Sequence, residues 1–465
     1  MVQKYAFFVF SMVEKYAIMY LKVVKMLKRK IYKELLNWKK SKDKECLLIM
    51  GARQTGKTTT VQEFGKKEYD SFIEINFLEN PSLKNIFYGD LNSEEIYKRI
   101  SVYIPNVELL EGKTLIFLDE IQKCASARTA LKFLAIDNKY DVIASGSLLG
   151  LHYGQDSDNE VEEVESIPVG YERQIHMYPL DFEEYLWALG YNDDSINYLK
   201  SYFDSEEKVA SDLNKKYLDI IKEYIVVGGM PEVVAKFVEN KDFNIVQKTQ
   251  EKILASYDDD ISLHVKNGGK EKVRACYDSI PRQLSRENKK FKYSEVENKA
   301  TARKYRDSIE WLKDSNVVNV AYNVYEPVLP LLANSNDNEF KLYMNDVGLL
   351  MALYGRESKL AILNNTLKGN AKGGIYENLI ACELIKKGYK LNYYKKQDST
   401  LEIEFVIEKN GEVIPIEVKS GNTSTPSLNN FILTYKPHIS YKFINGNIGR
   451  TDNKLSIPHY MIMFI

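Results

Sequence analysis

Gly51-Ala52-Arg53-Gln54-Thr55-Gly56-Lys57-Thr58 is the stretch whose residue types and spacing specify chemistry most directly. It fits the phosphate-binding loop pattern at every position. Successive backbone N–H groups and a following helix N-terminus can wrap a phosphate anion. Lys57 supplies a point charge for the β- and γ-phosphates, and the Thr58 hydroxyl is placed to ligate Mg²⁺. The nucleotide-contacting set is therefore expected to be Gly51, Ala52, Arg53, Gln54, Thr55, Gly56, Lys57, Thr58 and Thr59, with ATP and Mg²⁺ as ligands. The competing reading is a glycine turn with an unrelated lysine. The flanks argue against it. Cys46-Leu47-Leu48-Ile49-Met50 is an apolar run of strand type, and Thr58 to Phe64 can open a helix.

A second constellation lies downstream. Thr114-Leu115-Ile116-Phe117-Leu118-Asp119-Glu120 has the form of a Walker B segment. A fully apolar run suits a central parallel strand covered on both faces. The C-terminal end of such a strand is where an α/β sheet places ligands. Asp119 would hold Mg²⁺, and Glu120 would orient or deprotonate the attacking water. Arg128 and Arg173 are candidates for an arginine that senses the γ-phosphate, in cis or from a neighbouring subunit. The competing reading for each is an ion pair at the surface.

Three other places carry chemistry. Leu401 to Ile407 and Val413 to Lys419 read as two strands joined by an Asn410-Gly411 turn. Residues two apart share a strand face, so Glu402 pairs with Glu404, and Glu417 with Lys419. If those faces meet, three carboxylates and one ammonium converge. Such a set could hold Mg²⁺ and activate water for phosphodiester cleavage. The competing reading is a solvated hairpin with cross-strand Glu–Lys pairs. Between the two ends of the chain, Lys299 to Leu312 predicts a helix. Its Ala302, Tyr305, Ile309 and Leu312 recur at core spacing, with Lys299, Arg303 and Arg306 on another face. A strand follows at Val317 to Tyr322. This order fits a winged helix-turn-helix contacting DNA through residues 285–325, or a solvated face that only packs internally. Asp258-Asp259-Asp260 reads as helix cap plus solvated charge.

These elements sit in a chain of 465 residues, long enough for several domains. A net charge of -1 gives no global field toward nucleic acid or membrane, so any such contact must be local. The cysteines, Cys46, Cys124, Cys276 and Cys382, show no metal-ligand spacing and read as free thiols of a reducing cytoplasm. The apolar run Ala6 to Val13 is too short for a membrane span. Residues 1–25 are expected to be an extension upstream of a true start at Met26, where an amphipathic helix to Trp38 begins.

Five segments, Gly51–Thr58, Thr114–Glu120, Ala144–Gly150, Pro168–Arg173 and Tyr178–Tyr185, together with Val227-Gly228-Gly229-Met230-Pro231-Glu232, carry a resemblance. They resemble the prokaryotic family of AAA+-type predicted ATPases whose C-terminal domain of unknown function has a restriction-endonuclease-like core. The resemblance runs from about Met26 to Ile465. It implies an α/β P-loop NTPase core over 26–180, a helical lid over 181–267, a winged helix over 268–333 and a mixed α/β endonuclease-like domain over 334–465. It also implies a sensor at the end of the strand beside Walker B, Ser145 ahead of Ser147. Glu404, Glu417 and Lys419 would form the nuclease-like site, with Glu377 supplementary. Position 404 departs from the usual Asp, which puts metal geometry and cleavage in doubt. The expected activity is a cytoplasmic Mg²⁺-dependent ATPase switch, with a homo-oligomer as a further expectation. Two alternatives stay open, an ATP-gated nuclease of genome defence or mobile elements, and a nucleotide-dependent switch for a protein partner.

Overall fold

Five short apolar runs build the first sheet. β1 (Cys46–Met50), β2 (Ser71–Asn76), β3 (Thr114–Asp119), β4 (Asp141–Gly146) and β5 (Glu172–His176) lie in the order β2-β3-β4-β1-β5, every pair parallel. The chain is seen as a computed structural model that describes residues 27–42, 44–147, 170–265, 269–397, 399, 401–421 and 424–465. The expected N-terminal extension and the acidic stretch 156–165 lie outside these residues. β1, β3 and β4 are buried at every position, as a sheet covered on both faces requires. Helices α1 (Ile31–Lys39) and α2 (Lys57–Glu68) cover one face through Leu35, Trp38, Val61 and Phe64. Helices α3 (Ser93–Tyr103) and α4 (Ala125–Asp137) cover the other through Ile96, Ile100, Leu131 and Leu134. Asn92 caps α3. Its side chain accepts from the Glu94 N–H, and Ser93 is already the first helical residue.

Five helices follow, α5 (Phe182–Ala188), α6 (Asp193–Ser205), α7 (Ser211–Val227), α8 (Pro231–Asn240) and α9 (Phe243–His264). Asp181 caps α5, and Glu184 completes a reciprocal capping box. The three aspartates 258–260 lie inside α9 and cap nothing. Asp258 pairs with Arg274, and Asp260 is buried, which corrects the solvated reading for that residue.

Next come α10 (Lys270–Leu284), a 3₁₀ turn at Tyr293–Glu295, α11 (Ala302–Asp314) and the antiparallel hairpin β6 (Val318–Val324) with β7 (Ser335–Met344). α11 buries Tyr305, Ile309 and Leu312 and exposes Lys299, Arg303 and Arg306 around its start. Ala302 is exposed, because it begins the helix beyond the reach of the core. β6 also pairs in parallel with β8 (Asn392–Lys395). The hairpin thereby joins an eight-stranded sheet in the order β12-β13-β11-β10-β9-β8-β6-β7. Its other strands are β9 (Glu402–Lys409), β10 (Glu412–Val418), β11 (Ser440–Ile444), β12 (Gly449–Thr451) and β13 (Lys454–Pro458). The expected boundary at 333/334 therefore falls inside one hairpin. Helices α12 (Val347–Tyr354), α13 (Arg356–Leu363), α14 (Asn370–Lys386) and α15 (Pro426–Tyr435) complete the chain.

Asn410 and Gly411 turn the β9–β10 hairpin with φ of 52° and 78°, the left-handed pair that this dipeptide favours. One apolar cluster runs from Leu180 through α7, α9, α10 and α11 into β9, β10 and the C-terminal Ile465. The clusters on the first sheet are separate from it.

Candidate nucleotide site

The strand order places the site. β4 lies between β1 and β3, so the phosphate loop after β1, Ser145 near the end of β4 and Asp119 at the end of β3 become neighbours. The loop turns into α2 at Gly56, whose φ of 92° a side chain would oppose. At the start of the loop, a Cβ on Gly51 would run into the Met177 carbonyl.

Lys57 is 8% exposed, and its ammonium donates to the Gly51 and Ala52 carbonyls at 3.0 and 2.9 Å. Burial lowers its pKa to about 8, against the pull of Glu120 and Asp119. Among the described residues no carboxylate lies within ion-pair distance of it. Asp119 is 1% exposed and likewise meets only neutral donors. Thr58 Oγ1 donates to Asp119 Oδ2 at 3.0 Å and Asn76 Nδ2 to the same oxygen at 3.1 Å, while the Ser145 hydroxyl donates to Oδ1. Burial raises the Asp119 pKa even so. Glu120 sits in the left-handed region at φ 55° and accepts from Gln122 Nε2 at 2.5 Å. Ser147 is further out, 3.4 Å from Gln122 Nε2. A site with a lysine bound only to carbonyls beside an aspartate bound only to hydroxyls and an amide has capacity for an anion and a cation together.

The structure does not bring the two candidate arginines there. Arg128 is buried on α4 and its Nη2 meets Glu172 Oε1 at 3.3 Å. Glu172 is in register with Cys46, at the N-terminal end of β1 and so across the sheet from the loop. Arg173 is exposed on the edge strand β5, in register with Leu47. Sequence reasoning missed three residues that do attend the loop. Asn76 ends β2 next to Asp119. Arg29 donates from Nη1 to the Thr55 carbonyl at 2.9 Å, from Nη2 to the Tyr178 carbonyl at 2.6 Å and from Nε to Glu184 at 3.1 Å. Asp260 pairs with Arg53 at 2.5 Å. No local motif marks these three, because each reaches the loop through the tertiary fold. Between α1 and α2 a cleft of about 790 Å³ opens among Arg29, Tyr32, Thr60, Glu63 and Trp187.

A glycine junction ties this site to the rest of the chain. The Leu180 N–H donates to the Gly229 carbonyl at 2.7 Å, and the Gly229 N–H donates to Asp346 Oδ2 at 2.6 Å. Gly228, at φ 77°, has no room for a Cβ against Asp346.

At the C-terminal cluster the structure brings Glu404, Glu417 and Lys419 together. Lys419 Nζ lies 3.0 Å from Glu404 and 2.6 Å from Glu417. Burial and the neighbouring Glu417 hold the Glu404 carboxyl well above the usual carboxylate range. Glu377 on α14 is near enough to push Glu404 up further, and it pairs with Lys289 at 2.8 Å and lies 3.9 Å from Lys341. Glu402 meets Lys341 at 2.7 Å and Lys395 at 3.3 Å. Among the described residues no group of three or more His, Cys, Asp or Glu side chains is arranged to hold a metal ion.

No helix among the described residues is long and apolar enough to cross a membrane. No curated protein matches the chain in sequence. Among solved structures it is similar to a Walker-type ATPase of Pyrococcus abyssi, at 15% identity and a TM-score of 0.40, covering 71% of this chain and 96% of that one. It is also similar to the Aeropyrum pernix ORC1 protein in complex with DNA, at 12% identity and a TM-score of 0.28 over 73% and 93%. A third is AMPPCP-bound DnaA from Aquifex aeolicus, at 13% identity and a TM-score of 0.26 over 61% and 86%. Residues 218–360 and 372–458 match two domains of unknown function, DUF8612 and DUF4143. Residues 43–186, which hold the parallel sheet, the phosphate loop and Asp119, match the family model of the AAA domain, which supports an AAA-type P-loop ATPase core for this segment.

Proposed function

We propose that the chain is an ATP-hydrolysing switch whose C-terminal half acts on DNA. The observation that carries the first half is the pair of uncompensated groups, Lys57 held by loop carbonyls and Asp119 by hydroxyls. Lys57 and the loop amides would bind the phosphates, and the cleft by Trp187 would receive the base. Thr58 and Asp119 fit a Mg²⁺ ion, which would neutralise phosphate charge. Glu120 would take a proton from the attacking water, with Ser145 fixing Asp119 beside it. The DNA half rests on the order α10, 3₁₀ turn, α11 and hairpin, which is that of a winged helix. Lys292, Lys299, Arg303, Lys304 and Arg306 are all exposed there. These cations suit phosphate contacts. A cytoplasmic location and a homo-oligomer remain part of the reading, as does an arginine supplied in trans.

The test is ATP turnover in Mg²⁺ with and without double-stranded DNA. Turnover raised by DNA is expected. Turnover indifferent to DNA, with no DNA binding, would transfer the switch to a protein partner.

A second reading, phosphodiester cleavage at Glu404, Glu417 and Lys419, is favoured by one observation. α14, the meander β8-β9-β10, α15 and the parallel strand β11 follow in the order of a restriction-endonuclease core. Cleavage of DNA lost in Glu417→Ala would establish it.

A further inference from the structure

Two side chains of the phosphate loop do not serve the loop. Arg53 reaches out and meets the Asp260 carboxylate on α9 at 2.5 Å. Gln54 donates to Ser256 Oγ at 2.9 Å, one turn earlier on the same helix. Asp260 is 4% exposed and lies well inside α9. Its carboxyl is raised to about 6 by burial, although Arg53 pulls it down. The pair is buried only on the Asp260 side, Arg53 keeping 37% of its side chain exposed, and an ion pair open to water on one side is held weakly. Such a pair is easily exchanged for a stronger one.

The surroundings say what the exchange would be. The pair borders a small cavity lined by Ser147 after β4, Tyr257 on α9, and Trp311 and Ser315 at the end of α11. Lys123, just after Glu120, faces the same pair. Arg53 therefore lies where the phosphate loop, the residues following β3 and β4, and the basic helix α11 meet. A terminal phosphate arriving at the loop brings an acceptor of higher charge than Asp260. It can take the planar guanidinium in two hydrogen bonds.

We propose that Arg53 is the residue that distinguishes a nucleoside triphosphate from a diphosphate, and that Asp260 is its holding partner when no terminal phosphate is present. This rests on the ATPase reading. When the phosphate takes Arg53, Asp260 loses its counterion and faces added negative charge, so α9 is pushed away from the loop. α10 holds α9 through the Arg274–Asp258 pair at 2.5 Å, and α10 leads into α11 with Arg303 and Arg306. The phosphate state of the nucleotide thereby reaches the basic helix.

The experiment titrates the full chain in Mg²⁺ with ADP and with AMPPCP and compares the ratio of the two affinities. Arg53→Gln is expected to lower the preference for the triphosphate about tenfold relative to wild type. Asp260→Asn frees Arg53, so its expected effect has the opposite sign, a preference raised about threefold to tenfold. A merely structural role for Asp260 would not raise it. An unchanged ratio in both variants would overturn the proposal while leaving the ATPase reading intact. Wild-type protein that binds neither nucleotide would overturn both.

Discussion

The phosphate-loop site and the carboxylate cluster treat buried charge in opposite ways. At the loop, Lys57 and Asp119 are both buried, and neither has an opposite charge within ion-pair distance among the described residues. At the C-terminal cluster, Glu377, Glu402, Glu404 and Glu417 meet Lys289, Lys341, Lys395 and Lys419, four carboxylates against four ammoniums. A buried charge without a partner is expensive, so a fold retains one where a ligand will supply the partner. A set matched in number has less to offer an incoming cation, although Glu404 and Glu417 share Lys419 and crowd each other. The comparison favours nucleotide chemistry at the first region. At the second it makes the lysines the gate to any metal.

Removing Lys57 should break the comparison most visibly. Lys57→Ala is expected to lower ATP turnover about a thousandfold, the loss of a principal donor to developing charge. It should leave thermal stability unchanged or raised, because a buried lysine without a carboxylate stabilises nothing. Turnover near the wild-type rate would sink the site assignment.

Lys341→Met should do the reverse. Lys341 is 1% exposed and is held far into its charged form by Glu402 and Glu377, despite burial. Taking it away leaves carboxylates short of a counterion and should destabilise the C-terminal half by about 3 kcal/mol. Urea unfolding would show it, with ATP turnover retained. Lys341→Met combined with Glu402→Gln should recover part of the loss. If the single variant is as stable as wild type, the cluster is not the satisfied network described here.

Between the two regions lies a unit that neither contains, and its proposed role is tested on nucleic acid. Arg303→Ala with Arg306→Ala should weaken duplex DNA binding about tenfold. It should also reduce the slope of log affinity against log salt by about 2, one per lost phosphate contact. Competition with unrelated sequences should show the loss to be uniform. An unaltered slope would mean that the exposed face of α11 does not meet the phosphate backbone.

Much of this was legible in the sequence because it is local. The phosphate loop, the Asp119-Glu120 strand end and the Asn410-Gly411 turn each depend on residues a few positions apart. Helical texture sufficed for residues 182–265, and the Glu-x-Lys spacing for the meeting of Glu417 with Lys419. What failed to show depends on tertiary pairing. β6 read as the wing of a separate unit and β7 as the start of the last domain, yet the two pair, and β6 finds its second neighbour in β8, some seventy residues on, where its free edge is satisfied. The expected lid, the segment expected as a winged helix and the last sheet share one apolar cluster, so the boundaries implied near 267 and 333 mark no break in the core. Asp260 looked solvated among three adjacent acids. Only the packing of α9 against the loop reveals that the third is buried on Arg53. Arg128 fits the profile of a sensor by type and position in sequence. The parallel register puts it at the wrong end of the strands.

Lys359 sharpens the comparison from outside both regions. It is 2% exposed on α13, its ammonium donates to Gln250 Oε1, and among the described residues it meets no carboxylate at ion-pair distance. Burial lowers its pKa from 10.5 to about 8, the same displacement and the same cause as at Lys57. The sign follows. Between pH 8 and 10.5 the unfolded chain binds this proton more tightly than the folded one, so stability rises with pH across that window. Below pH 8 the charged form carries its full cost. Lys359→Met should therefore stabilise the protein at pH 7. The gain should be about 1–2 kcal/mol, after allowing for the acceptor left open on Gln250. The gain should fade toward pH 10.5. Denaturant midpoints at pH 7 and pH 10 would measure it. The same substitution at Lys57 removes activity, whereas at Lys359 it should remove only a cost. Two solitary lysines with the same depressed pKa are then separated by what surrounds them, a loop of open amides in one case and closed packing in the other. If Lys359→Met destabilises at pH 7, the bond to Gln250 outweighs desolvation. A lone buried ammonium would then no longer distinguish a ligand site in this fold.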